Sequence, residues 1–282
     1  MAQAAQVTGS AAFSGPVYFL LHVPKCAGTT IEAHFARNLG DGFLKAPRWK
    51  NPLRDVIGNR YRLAPDRLAR LRAVSGHSLS VSLKRAFPEG TEIRECVLLR
   101  EPVGWYLSFY NYRVERHLRR GERHPPPFPR WYRSQRKNPV ARFLLTRYFE
   151  LGYPRILGLS SRAQLAYLNR ALARFHFVGD IAQTGALIAS VAADLGVPGE
   201  VEPANVGSIR EATRASIGAE MVARIEAENA VDLVLHRLWG DRGFAPGAPE
   251  GCETAEAQLP AGDHLSYAAA DLVGTFLKKT QR

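Results

Sequence analysis

An α/β domain with a central, largely parallel sheet flanked by helices is the fold the sequence predicts, and three observations carry that prediction. "VYFLLHV" (17–23) is a continuous, β-rich apolar run, the pattern of a strand buried on both faces, and "IRECVLL" (93–99) repeats the theme with an apolar strand ending at Leu99. Each gives way abruptly to a polar turn and then to helical periodicity. A third run, "FHFVGDI" (175–181), does the same before "TGALIASVAADLG". Strands that alternate with helices pair in parallel.

The elements follow in order. After a small-residue leader (1–16), the first apolar run leads into "TTIEAHFARNLG" (29–40), a helix with Ile31, Phe35 and Leu39 on one stripe and Gly40 as its stop. A mixed basic segment (48–73) precedes "VSGHSLSV", which sets His77 in a Ser/Gly-rich turn after a short apolar stretch. The second strand ends at Leu99; Arg100 and Glu101 form the junction, and Pro102 opens a long aromatic helix. Residues 121–139 hold three successive prolines and Pro129, so they are expected as a basic, aromatic-bearing loop without regular helix. Helical patterns return through "VARFLLTRYFE", "SRAQLAYLNRALARF" and a long stretch that ends near "HRLWG". The expected organisation is a leader (1–16), one domain (17–240), and a Gly/Pro-rich, mobile tail (241–282) whose end, "HLSYAAADLVGTFLKKT", has the composition of a terminal helix.

A chain of 282 residues with 46% hydrophobic and 23% charged residues is ordinary for a globular protein with a packed core. Its 38 Lys and Arg against 26 Asp and Glu leave a charge of +12, which points to an anionic partner or, alternatively, to a generally basic surface. Three scattered cysteines, Cys26, Cys96 and Cys252, contain no CxxC pair and fit a reducing compartment better than a disulfide framework or a zinc site. No window approaches the apolar length of a membrane span, and the N-terminus lacks a basic, then apolar, targeting pattern. A soluble, cytoplasmic protein is the expectation.

In a parallel sheet, ligands gather where strands end and helices begin. The turn "HVPKCAGTT" (22–30) is such a place. A helix start offers unpaired N–H groups and a positive dipole end, Gly28 permits close backbone approach, Thr29 and Thr30 add hydroxyls, and Lys25 adds a point charge. The combination suits an oxyanion; the plainer alternative is a helix start with Thr29 or Thr30 as N-cap and Lys25 in solvent. It is not the GxxxxGK[ST] phosphate loop of nucleotide kinases, because Lys25 precedes the glycine.

"HVPKCAGTT" resembles the 5'-phosphosulfate-binding loop of the carbohydrate sulfotransferase superfamily, whose donor is 3'-phosphoadenosine 5'-phosphosulfate (PAPS). "LLREPVGWYLSFYNY" resembles the same family's 3'-phosphate-binding segment, with an Arg at a strand end, an acidic-Pro pair and a Ser about two helical turns on. The resemblance implies a single P-loop-NTPase-like domain; the lack of a membrane-span pattern departs from the family's Golgi members and leads to the expectation of a soluble, bacterial-type member. It implies that Lys25, Cys26, Ala27, Gly28, Thr29 and Thr30 form the 5'-phosphosulfate loop, and that Arg100 and Ser108 hold the 3'-phosphate. It also relates "FHFVGDI" and the "PANVGS" segment, with Asn205, to later family segments.

Sulfuryl transfer needs a base for the acceptor hydroxyl and stabilisation of the charge on the leaving phosphate. His77 resembles the Gly-His base of uronyl sulfotransferases and is the expected base, the alternative being a hydrogen-bonding turn histidine with no catalytic role; Lys25 is expected to neutralise the leaving phosphate. His22 is expected to serve a structural hydrogen bond, with Glu32 as a fallback base. No acidic cluster suits Mg²⁺, so no metal is expected. Arg113, Arg116, Arg119, Arg120, Arg123, Arg130, Arg133, Arg136 and Lys137, with Trp131 and Tyr132 among them, form either an acceptor groove for an anionic saccharide or a solvated cationic face. The alternatives from other classes are a basic nucleic-acid-binding protein and a P-loop nucleotide kinase.

Overall fold

The structure is a computed structural model and describes residues 15–46, 63–152, 155, 156, 158–201, 207 and 209–259. The residues of the leader up to 14, Asn205 and the terminal helix expected at 264–280 lie outside the described residues. Five strands, β1 (Val17–Leu21), β2 (Phe43–Lys45), β3 (Ala73–Gly76), β4 (Ile93–Leu99) and β5 (Phe177–Asp180), form one sheet in the order β2-β3-β1-β4-β5. Every pairing between them is parallel. All five residues of β1 and the last five of β4 are buried, as central strands covered on both faces must be.

The β1 run leads to helix α1 (Gly28–Leu39), stopped by Gly40. Helix α2 (Pro65–Arg70) follows β2, and α3 (Pro102–Arg120) follows β4 with Pro102 in its first turn. Next come α4 (Phe128–Arg133), α5 (Pro139–Phe143) with a π turn at Leu144–Tyr148, and α6 (Ser161–Leu172). After β5 come α7 (Thr184–Leu195), α8 (Arg214–Glu228), α9 (Ala230–Trp239) and α10 (Cys252–Gln258). The strand order reverses direction around β1 and β4, so the turns leaving these neighbours splay apart at their carboxyl ends and open a crevice.

Three features depart from the sequence reading. The proline-rich stretch does contain a helix, α4, because Pro129 sits in its first turn, where a missing N–H breaks no intrahelical bond. Trp131 and Tyr132 consequently turn inward and pack with Tyr106, Tyr110 and Phe128. Residues 241–259, the described part of the chain beyond 240, pack on the domain. Gly243 exchanges two backbone hydrogen bonds with Val178, at 2.9 and 3.1 Å, and Asp180 N–H donates to Gly240 O at 2.7 Å, covering the outer edge of β5. Arg162 donates to the carbonyls of Ala257 and Leu259, and Asn169 to Glu256, fixing α10 against α6.

A buried polar clasp holds α5 to α9. Asp232 accepts the N–H groups of Val140 and Ala141 at 2.9 and 2.8 Å, while Asn138 and Asn229 cross-link the same two segments. Burial pushes the Asp232 carboxyl up to about 7 against the opposing pull of those two N–H groups. No described helix is long and apolar enough to cross a membrane.

Candidate functional site

The turn after β1 is held open by its neighbours. Lys25 and Ala27 both adopt left-handed backbone geometry (φ 65° and 57°), a conformation that side-chain-bearing residues keep only when their surroundings impose it. Three bonds impose it here: Cys26 N–H to Val23 O at 3.2 Å, Trp105 Nε1–H to Pro24 O at 2.7 Å, and Arg100 Nη1–H to Lys25 O at 3.0 Å. Cys26 thereby spends its N–H inside the turn and buries its thiol, whose pKa desolvation raises. Its contribution to the site is backbone shape.

Helix α1 starts at Gly28 behind Ala27, which has no capping side chain, so neither Thr29 nor Thr30 occupies the N-cap position. The N–H groups of Gly28 and Thr29 precede the first intrahelical bond and remain directed out of the helix end. Gly28 itself answers to its neighbour. A Cβ there would lie 2.7 Å from Nε2 of His22 and overlap the rest of the imidazole, so the missing side chain makes room for that ring.

His22 in turn bonds through Nδ1 to Glu32 Oε1 at 2.5 Å, and Glu32 also receives Lys45 Nζ at 2.6 Å and Ser75 Oγ at 3.4 Å. Burial works to raise the Glu32 carboxyl, but the bonds from His22 and Lys45 outweigh it and hold the pKa at about 2. So strongly ionised a carboxylate is a poor proton acceptor. Glu32 is therefore a structural anion under the loop and not the fallback base.

At the second junction, Glu101 caps α3, accepting from Val103 N–H at 2.9 Å and Gly104 N–H at 2.6 Å. Arg100 is thus free of the local pairing with Glu101 and reaches across to the first loop. Between the two turns lies a cavity of about 390 Å³ whose lining includes Lys25, Thr29, Arg100 and Ser108. Four residues expected from two separate motifs share one space. Cys26, Ala27, Gly28 and Thr30, expected in the same loop, do not line it.

Desolvation lowers the pKa of Lys25, and repulsion from Arg100 acts in the same direction, against a smaller opposing pull from Glu115. Its Nζ stands 4.4 Å above the Tyr112 ring. Arg119 and Arg210 add two more cations to the lining, and Glu115, the one carboxylate among the described lining residues, is tied to Arg119 at 2.7 Å. The opposite wall, residues 209–213, is pinned by Asn111, whose side chain exchanges two 2.9 Å bonds with the backbone of Ala212. Asn111, Tyr112 and Arg210 were not anticipated. The first two were visible as the row 104, 108, 111, 112, 115, 119 on one face of α3; Arg210 comes from a segment that only the fold brings near.

No protein-family model, no curated protein and no solved structure matches this chain. What the site rests on is its own geometry within an α/β domain with a five-stranded, all-parallel sheet.

His77 stands apart from the cavity, across the first loop. Its Nδ1 lies 2.8 Å from His22 O, its ring faces that of His22 at 3.9 Å between centroids, and its edge meets Phe143. A carbonyl can only accept, so Nδ1 carries the proton in this bond. Phe143 belongs to a second cleft of about 220 Å³ that adjoins Pro24, Trp105 and Phe109.

The arginines expected as one patch divide. Arg119 lines the anion cavity and Arg136 the second cleft, while Arg113, Arg123 and Arg130 border an outer groove of about 560 Å³. Arg116 pairs with Glu122; Lys137 is bound to Glu228 and lies over the Tyr132 ring. Tyr132 is wholly buried and presents no face to a ligand. Among the described residues no group of three or more His, Cys, Asp or Glu side chains is placed to hold a metal ion.

Proposed function

We propose that the protein is a sulfotransferase that moves a sulfuryl group from 3'-phosphoadenosine 5'-phosphosulfate to a hydroxyl of an acceptor. The observation that supports this most is the convergence of Lys25, Thr29, Arg100 and Ser108, from two motifs resembling those of sulfotransferases, on one cavity. Among the described residues, Lys25, Arg100, Arg119 and Arg210 against Glu115 make a cationic lining, suited to a nucleotide with two separated phosphate groups. The left-handed turn and the open end of α1 add N–H donors and a positive dipole at Lys25.

In this reading Lys25, Thr29 and the start of α1 hold the 5'-phosphosulfate, and Arg100 and Ser108 the 3'-phosphate. The acceptor oxygen forms the new bond to sulfur while the bond from sulfur to the phosphate oxygen breaks. Lys25 neutralises the charge that collects on that oxygen, and adenosine 3',5'-bisphosphate leaves. Nε2 of His77 takes the hydroxyl proton, with the tautomer fixed by the His22 carbonyl. The carbohydrate nature of the acceptor rests on the motif resemblance alone.

Calorimetric titration with adenosine 3',5'-bisphosphate, ATP and a DNA duplex tests the proposal. The bisphosphate is expected to bind tightest. A protein that ignores it and binds ATP or DNA is a kinase-like or nucleic-acid-binding protein instead.

A further inference from the structure

We propose that Tyr112 is the positioning residue for Lys25: its ring face holds the ammonium at the wall of the anion cavity and leaves the positive charge available to the ligand. That the ligand is a phosphosulfate nucleotide rests on the sulfotransferase reading; the pairing of ring and ammonium rests on the geometry of the cavity.

The backbone of Lys25 is fixed before its side chain is placed. Its φ of 65° belongs to the turn that Arg100 braces by donating to the Lys25 carbonyl oxygen at 3.0 Å. From there the side chain reaches α3, where Tyr112 lies one turn beyond Ser108 and is the one aromatic side chain among the described lining residues. Lys25 Nζ stands 4.4 Å from the centroid of that ring. Among the described residues none accepts a hydrogen bond from Nζ or pairs with it at ion-pair distance. Glu115, three residues further along α3, attracts the ammonium through space but is itself paired with Arg119 at 2.7 Å. The ring is the contact that fixes where the charge lies.

An aromatic partner differs from an acidic one in what it leaves behind. A carboxylate at position 112 would hold the ammonium and cancel its field, so an incoming phosphate would have to displace one anion in order to bind as another. A ring face attracts a cation through its quadrupole and carries no net charge. Nζ is therefore held in direction while its field still reaches the cavity. Arg116, paired with Glu122, stands 5.8 Å from the same centroid and flanks the ring from its own helix.

The charged surroundings of Lys25 give this pairing a signature. Burial and then Arg100 lower the Lys25 pKa, while Glu115 and Cys26 act to raise it; Arg119 and Arg210 are the further cations of the described lining. A ring face stabilises the charged form, so its removal lets the pKa fall further. A wall that merely loosens admits water and lets the pKa return toward its ordinary value. The two outcomes have opposite sign.

The test compares Tyr112→Leu with Tyr112→Phe, with Tyr112→Met as the second ringless variant should the leucine protein fold poorly in urea unfolding. Acetic anhydride labelling of Lys25 across pH, read by mass spectrometry, gives the titration midpoint of its amine, and calorimetry gives the affinity for adenosine 3',5'-bisphosphate. Without the ring the midpoint is expected to move to lower pH and the affinity to fall at least about threefold; Tyr112→Phe is expected to restore both. A midpoint that stays or rises in the ringless protein, a Tyr112→Phe protein that behaves like it, or full bisphosphate affinity without the ring overturns the proposal. Affinity of the unmodified protein reads the sulfotransferase assignment separately: if it is absent while the midpoints divide as described, that assignment fails and the ring still holds Lys25 in a cavity for another anion.

Discussion

Arg100 donates through Nη1 to the carbonyl oxygen of Lys25 at 3.0 Å, joining two turns that lie 75 residues apart in the sequence. The same guanidinium lines the cavity, so it both shapes the loop and supplies charge. Arg100→Ala is expected to weaken adenosine 3',5'-bisphosphate about 10- to 100-fold in calorimetry. Arg100→Lys should recover little, because an ammonium on a flexible stem does not reproduce a planar fork that bonds a carbonyl and a phosphate together. Unchanged affinity in both variants would remove Arg100 from the site.

Gly28 and His22 form a second dependent pair. The overlap of a Cβ at position 28 with the imidazole forces either the ring or the start of α1 to move, and Gly28→Ala is expected to cost about 1–3 kcal/mol in urea unfolding. Removing the ring as well, in the double variant with His22→Ala, should recover the part due to overlap. The double variant then reads as His22→Ala alone. A full additive loss would place the need for glycine elsewhere.

What the sequence shows of this molecule follows how local each signal is. β1, β4 and the helices after them are long apolar or periodic runs bounded by Pro and Gly, and they lie where those patterns predict. β2 and β3 are three and four residues long, and Ser75 and Gly76 give β3 no apolar signature; its burial comes from lying between β1 and β2. Lys25, Thr29, Arg100 and Ser108 are legible because each sits in a short motif at a strand end. Asn111 is legible only as a neighbour of Ser108 on one face of α3; its contact with Ala212, made 101 residues away, has no sequence signal. The arginines between 113 and 136 look like one patch in sequence, and α3 and α4 then turn successive ones into different clefts.

Asn111 closes the cavity through that contact. Asn111→Ala leaves both the N–H and the carbonyl of Ala212 without their side-chain partner, and is expected to cost about 1–3 kcal/mol. Loosening of the 209–213 wall should raise the dissociation constant of the bisphosphate about three- to tenfold. Asn111→Asp keeps an acceptor for the Ala212 N–H but sets an anion against its carbonyl, so it should not rescue. Wild-type affinity in Asn111→Ala would show that this wall does not contribute to binding.

Glu32 sets an acid limit on stability. Its carboxyl is held at about 2 in the fold, below the ordinary value of 4.5, so its contribution is complete above that ordinary value and is lost as pH falls from there toward 2. Unfolding midpoints in urea should therefore decline over this window. Glu32→Gln, which cannot ionise, should be less stable near neutrality and show a shallower decline. Parallel profiles for the two proteins would show that the His22 and Lys45 bonds do not hold the carboxylate as described.

His77 is the residue on which a structural and a catalytic role make different forecasts. Its Nδ1–H supports the His22 carbonyl at the mouth of the loop, so a purely structural histidine predicts that His77→Ala loses stability and bisphosphate affinity together. A base predicts another split: turnover falls about 10²- to 10⁴-fold while bisphosphate affinity stays within about twofold. His77→Asn separates the two further. Its amide N–H can take over the donation to His22 O, restoring whatever that bond contributes, yet it has no lone pair of comparable basicity to offer an acceptor. Stability rescued with turnover still lost assigns the proton transfer to Nε2; turnover regained in His77→Asn removes His77 as the base.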